Sequence, residues 1–284
     1  MKYNKTIERN KTKKERFKMK KLLALAMVAV MAFCFTACGK KGDSEKSDSD
    51  YVKEKGKLIV GITDFKPMDY EETKGSGEWI GFDADMAKAF AKELGVDVEF
   101  VVIEWDNKIM ELKNKSIDCV WNGMTITDEV KNGMSVSNAY CKNTQVVVVK
   151  KDVSDKYQTV ESIKDLKFAA EAGSAGEDAL KELGYSVTAV SAQADALMEV
   201  NAGTSDAAVI DLLMAGAMIG EGTSYADLTY TVGVAEEEDY GVGFRKGSDL
   251  AEKLNKFMKK AYSDGSMLKI ANTYGVQESV IEQK

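Results

Sequence analysis

The chain has 284 residues and a formal net charge of −7, and its basic residues crowd before position 37, so the remainder of the chain is more acidic still and ill suited to nucleic acid or anionic lipid. Histidine is absent, which excludes Ser-His triads and histidine-built zinc sites. Of four cysteines, two, Cys119 and Cys141, fall in the globular part, where they could pair outside a cell or serve as buried small hydrophobes.

In chain order, a basic leader comes first, and Met19-Lys20-Lys21 would start a complete secretory signal by itself. The apolar run over residues 22–37 is shorter than the roughly 20 residues that cross a hydrocarbon core. It ends in small residues before Cys38, as a signal peptide does; the other reading is an uncleaved anchor helix. Residues 39–50 are charged, rich in glycine and serine and poor in apolar side chains, a composition that makes a tether rather than a core. The folded part is expected from near Tyr51, and its length favours two lobes over one domain.

Strand-like runs then alternate with amphipathic helical ones: strands at 58–62, 98–103 and 118–121, helices at 83–94 and 106–113. Met86, Phe90 and Leu94 share one face of the first helix. The pattern restarts after Tyr140, with strands at 145–149, 168–171, 187–190 and 206–210 and helices at 162–166, 176–183, 192–202 and 212–219. This β/α alternation predicts largely parallel strands covered by helices. Met110-Glu111-Leu112 and Ser116-Ile117-Asp118 are answered at a constant offset by Met198-Glu199-Val200 and Thr204-Ser205-Asp206. Matching units fit two lobes of one topology, or two βα units of a single sheet. The strands end in Asn122-Gly123-Met124-Thr125 and in Asp211, and ligands of open α/β sheets sit beyond such ends.

Phe35-Thr36-Ala37-Cys38 resembles the bacterial lipobox, with Phe where Leu is usual. That resemblance implies a cell-surface protein held to the outer face of the bacterial cytoplasmic membrane by lipid on Cys38 alone. Three further motifs, Trp79-Ile80-Gly81-Phe82-Asp83-Ala84-Asp85, Trp121-Asn122-Gly123-Met124-Thr125-Ile126-Thr127 and Ser137-Asn138-Ala139-Tyr140, resemble the family 3 extracellular solute-binding proteins of ABC importers. The resemblance implies an α/β, two-lobed periplasmic-binding-protein-like (type II) fold with a ligand cleft between lobes. Lobe 1 is expected over residues 51–141 and 240–284, lobe 2 over 144–233. The C-terminal helices at 250–261 and 267–274 resemble those that pack on lobe 1 in the family.

By the same resemblance, Phe65 and Trp105 would sandwich the ligand side chain, although either could be an ordinary core aromatic. Asn122, Gly123 and Thr125 would offer hydrogen bonds to a ligand carboxylate, with Thr127 capping the next helix. The arginine that the family places after these, to fork onto an α-carboxylate, is Val130 here; neighbouring Lys131 points elsewhere on a helix and lacks the fork. Asp211 matches the aspartate that receives an α-amino group. Glu171 and Ser174 lie where ligand-facing residues are expected, although Glu171 would fit a solvated rim charge equally well. Two carboxylates without the arginine tilt the cleft towards a cationic or amine-bearing ligand.

The implied function is capture of a small polar solute, an amino acid or related amine, by a monomer that delivers it to an ABC permease, with no cofactor and no covalent chemistry. The alternatives are an enzyme on the same scaffold, a dehydratase or a cell-wall enzyme, and an extracytoplasmic sensor.

Overall fold

Leu58-Ile59-Val60 and the four consecutive valines from Val146 to Val149 are runs too short for helices, and such β-branched runs suit strands covered on both faces. The computed structural model describes residues 46–284; the leader, Cys38 and residues 39–45 of the expected tether lie outside the described residues. The first sheet takes β1 (Lys57–Ile62), β4 (Asp97–Val102), β5 (Cys119–Thr125), β6 (Met134–Val136), β7 (Cys141–Asn143) and β13 (Glu238–Arg245). Its order is β4-β1-β5-β13-β6, with β7 also on β13. The second sheet, in the order β10-β9-β11-β8-β12, takes β8 (Gln145–Lys150), β9 (Phe168–Glu171), β10 (Val187–Val190), β11 (Ala207–Asp211) and β12 (Leu228–Gly233). The remaining pair, β2 (Tyr70–Glu71) and β3 (Trp79–Ile80), forms a small hairpin.

The two matching units therefore fall in different sheets, giving two lobes. β1 is parallel to β4 and β5, and β9 is parallel to β10 and β11, as helix crossovers require. β13 runs antiparallel to β5, β6 and β7 and so brings the chain back to the first lobe. Helix Ser266–Tyr274 then packs there, Tyr274 donating to Asp85 at 2.6 Å. Helix Phe82–Leu94 buries Phe82, Met86 and Phe90, and Phe90 meets Trp121 edge-on at 6.3 Å. Gly81 precedes it at φ 129°, where a Cβ would lie 2.1 Å from the Met68 carbonyl oxygen, so only glycine fits the entry to this helix.

Several expectations change. The fold begins at Ser47, not near Tyr51: Ser47 caps helix Asp48–Lys55, and Ser49 donates from its amide and hydroxyl to Asp249 at 2.9 and 2.6 Å. Acidic and serine residues that read as tether are partners for groups far along the chain. The segment expected as a helix at 162–166 is a short 3-10 turn, Val160–Ile163, closed by a capping box from Thr159. Cys119 and Cys141 are both buried and free. They pair with Phe244 and Tyr240 on opposite flanks of β13; two strand spacings, about 9–10 Å, exceed the reach of a disulfide. Among the described residues, no helix is long and apolar enough to cross a membrane.

Candidate functional site

The carboxyl ends of β5, β9 and β11 meet at a cavity between the lobes, so strand ends far apart in sequence supply Thr125, Glu171 and Asp211. The turn after β4 adds Trp105, and the start of helix Lys108–Lys113 adds Lys108. The cavity is narrow and lined from both lobes. Contacts across the cleft agree. Lys108 Nζ donates to the Gly173 carbonyl at 3.0 Å, and a Cβ on Gly173 would come within 2.7 Å of Asp106 Cα.

Seven of the eight residues expected at the site line this cavity: Trp105, Asn122, Gly123, Thr125, Glu171, Ser174 and Asp211. Phe65 does not. It is 2% exposed and packs edge-on to Tyr240 at 6.4 Å, beneath Gly123, whose added Cβ would sit 2.5 Å from its ring. Of the two aromatics only Trp105 lines the cavity, because Phe65 fills the space that the left-handed turn at Gly123 leaves open.

The donors expected for a carboxylate are also partly committed elsewhere. The Gly123 amide donates to Asp83 Oδ2 at 2.7 Å. Asn122 accepts from the Thr63 amide and hydroxyl at 3.0 and 2.9 Å, and donates to the Thr63 carbonyl and to Asp69 at 3.1 and 2.8 Å. Its side chain clamps the loop after β1. Ser174 Oγ accepts from the Glu177 amide at 3.1 Å as a helix cap, and Thr127 caps helix Asp128–Gly133 through the Val130 amide at 3.2 Å. Val130 is 2% exposed and packs in an apolar cluster with Trp105 and Met124.

The two carboxylates of the second lobe differ. Asp211 is saturated by protein donors: Tyr240 Oη at 2.5 Å, Gln145 Nε2 at 2.8 Å, and the amides of Asn143 and Gln193. Asn143 and Gln145 also donate to Glu238, each at 2.6 Å, bridging a second carboxylate to the first. Burial, then the nearby Glu238 charge, raises Asp211 to about 8 despite those hydrogen bonds. Glu171 is 2% exposed, so it is no rim charge, and its Oε1 has no hydrogen-bond partner. Burial raises it to about 8, only partly offset by Thr63. Lys108, 6% exposed, is held below the ordinary lysine range by burial, against the pull of Glu129, Asp106 and Glu171. Its ammonium stands 5.1 Å over the Trp105 ring.

Residues 58–277, which span both α/β lobes and the cavity, match the family model of the bacterial extracellular solute-binding proteins, family 3. The chain belongs to this family. Among relatives of this solute-binding protein, the arginine-binding extracellular protein ArtP of Bacillus subtilis is 32% identical over 260 residues, covering 89% of this chain and 96% of ArtP. A mutant of the arginine-binding protein ArgBP from T. maritima superposes with a TM-score of 0.73 at 32% identity, covering 80% of this chain and 98% of that one. The ancestral amino acid-binding protein AncCDT-1, a precursor of cyclohexadienyl dehydratase, gives 0.72 at 34%, covering 80% and 99%. Besides the expected residues, this solute-binding protein's cavity is lined by the apolar Val130 and by Lys108, Gln145 and Gln193, the last three of which sequence reasoning passed over. A lysine opening an amphipathic helix reads as a solvated charge, and amides carry no periodic signal.

Proposed function

We propose that this protein is the substrate-binding component of an ABC importer, held to the cell surface by lipid on Cys38, and that it captures an amino acid or an amine-bearing relative as its lobes close. The reading rests on one observation above others: a cavity closed by both lobes, in which a buried carboxylate oxygen of Glu171 has no protein partner. A buried polar atom left unpaired costs about 1–3 kcal/mol, and a ligand ammonium or guanidinium would relieve it. Trp105 supplies an aromatic face for an aliphatic or cationic side chain, with Thr125, Ser174 and Asp211 around it. No step in this function breaks a covalent bond: a ligand that touches both lobes stabilises the closed state, which a permease can recognise.

The twenty amino acids and a set of polyamines, tested by thermal shift on the purified protein, check the reading. A ligand at a hundred times its Kd adds about 2.7 kcal/mol of stability, and a panel without any stabilising member refutes it. Trp105→Ala is expected to weaken the ligand so identified by about tenfold or more, 1.4 kcal/mol, in isothermal titration. Asp211→Asn should do the same by placing an amide among the donors that now converge on its carboxylate. Mass spectrometry of the membrane fraction is expected to show an acylated Cys38 at the mature N-terminus, and Cys38→Ala to release the protein.

A further inference from the structure

The cavity carries a cation, Lys108, outside the motifs that single out its other residues. Lys108 enters from the first lobe, at the start of helix Lys108–Lys113, and is 6% exposed. Its ammonium donates only to two backbone carbonyls, of Gly173 at 3.0 Å and Trp105 at 3.3 Å, and no carboxylate lies within ion-pair distance of it among the described residues. The charges of Glu129, Asp106 and Glu171 act on it from farther away, and a buried ammonium without a counter-ion in contact is costly unless something supplies one. Glu171 faces the converse situation from the second lobe, buried in the same cavity with Oε1 unpartnered. Val130 lines that cavity too and offers no charge, while Asp211 already accepts from four protein donors.

We propose that Lys108 is the partner of a ligand carboxylate and Glu171 the partner of its ammonium, so that the ligand is a zwitterionic amino acid rather than a simple amine. This rests on the reading of the cavity as a ligand site and narrows it. The opposite charges come from opposite lobes, so a zwitterion lying between them joins the lobes through both ends. A polyamine would meet Lys108 as a like charge and leave it unpaired.

Isothermal titration of the purified protein tests this, with each of the twenty L-amino acids that stabilises the wild type and with its α-carboxamide. Lys108→Gln keeps a donor for the Gly173 carbonyl without the charge, and Lys108→Met removes both; the melting temperature of each variant confirms folding. Both variants are expected to lose about tenfold or more in affinity for the amino acid, as for a lost charged hydrogen bond, and clearly less for the carboxamide, which cannot form the ion pair. Adding Val130→Arg to Lys108→Met should restore the amino acid's affinity. Equal losses for acid and carboxamide make Lys108 a latch between lobes and overturn the proposal, as does a Lys108→Gln protein that binds the acid like the wild type. Both outcomes leave the proposed function standing. Stabilisation by polyamines but by no amino acid overturns the zwitterion proposal while keeping a cation receptor, and a panel with no binder at all overturns both.

Discussion

Ligand-free protein is expected to melt at a lower temperature at pH 8.5 than at pH 5.5, by roughly 5 °C or more, the reverse of ordinary acid denaturation. The cause is a set of carboxyl groups that hold their protons in the folded state. Burial raises Asp83 to about 7, and Glu171 and Asp211 to about 8, from ordinary values of 3.8, 4.5 and 3.8. Folded protein therefore binds more protons than unfolded protein across this range, and stability must fall as pH rises. The contribution is fully present below the unfolded values, declines through the neutral range, and is gone above about 8. Each group contributes at most about 1.4 kcal/mol per pH unit. Glu177 and Asp249, whose values are lowered by hydrogen bonds and nearby lysines, act in the opposite sense only below their unfolded values, outside this range. Melting curves on protein freed of ligand check the result: a flat or rising profile refutes it, and Glu171→Gln should flatten the slope.

Arg245→Met is expected to cost about 3–5 kcal/mol of stability, read as a lower urea midpoint. Arg245 ends β13 and is 8% exposed. Its guanidinium reaches Asp118 at 3.1 Å, Asp48 at 3.0 Å and the Ile117 carbonyl at 2.7 Å. Asp118 is fully buried, and Lys55 at 2.6 Å and the Ile59 amide at 2.8 Å hold its other oxygen. Methionine fills the volume but leaves one buried carboxylate oxygen and one carbonyl unpaired. Arg245→Lys keeps the charge but cannot fork to three acceptors, so it should fall between the two.

How far the sequence disclosed all this depends on the kind of signal. Helix Phe82–Leu94 and the valine strand β8 were legible because burial on one face, or on both, writes itself as a period. β13 was not: Gly241 and Gly243 interrupt its apolar pattern, and both sit where a Cβ would collide with Ile126 at 2.8 Å or Met134 at 2.3 Å. Glycine there reflects close packing in a strand rather than a turn. At the site, Asp211 was legible as a strand-end residue, and Trp105 and Glu171 through the family resemblance. The displacement of Phe65 was not, nor the capture of the Gly123 amide by Asp83, since each depends on which neighbour arrives first from elsewhere in the chain. Lys108 escaped notice for the same reason, its environment being made by Gly173 of the other lobe.

The anchoring of the first described helix has a mechanical meaning. Ser49 and Asp48 bind Asp249 and Arg245, so this helix is riveted to the lobe that also receives the C-terminal helices. Both ends of the described chain therefore belong to the first lobe. The second lobe is joined to it in sequence through the segments before β8 and after β12, so any swing of one lobe against the other must break the contacts that bridge the cleft, such as Lys108 on Gly173.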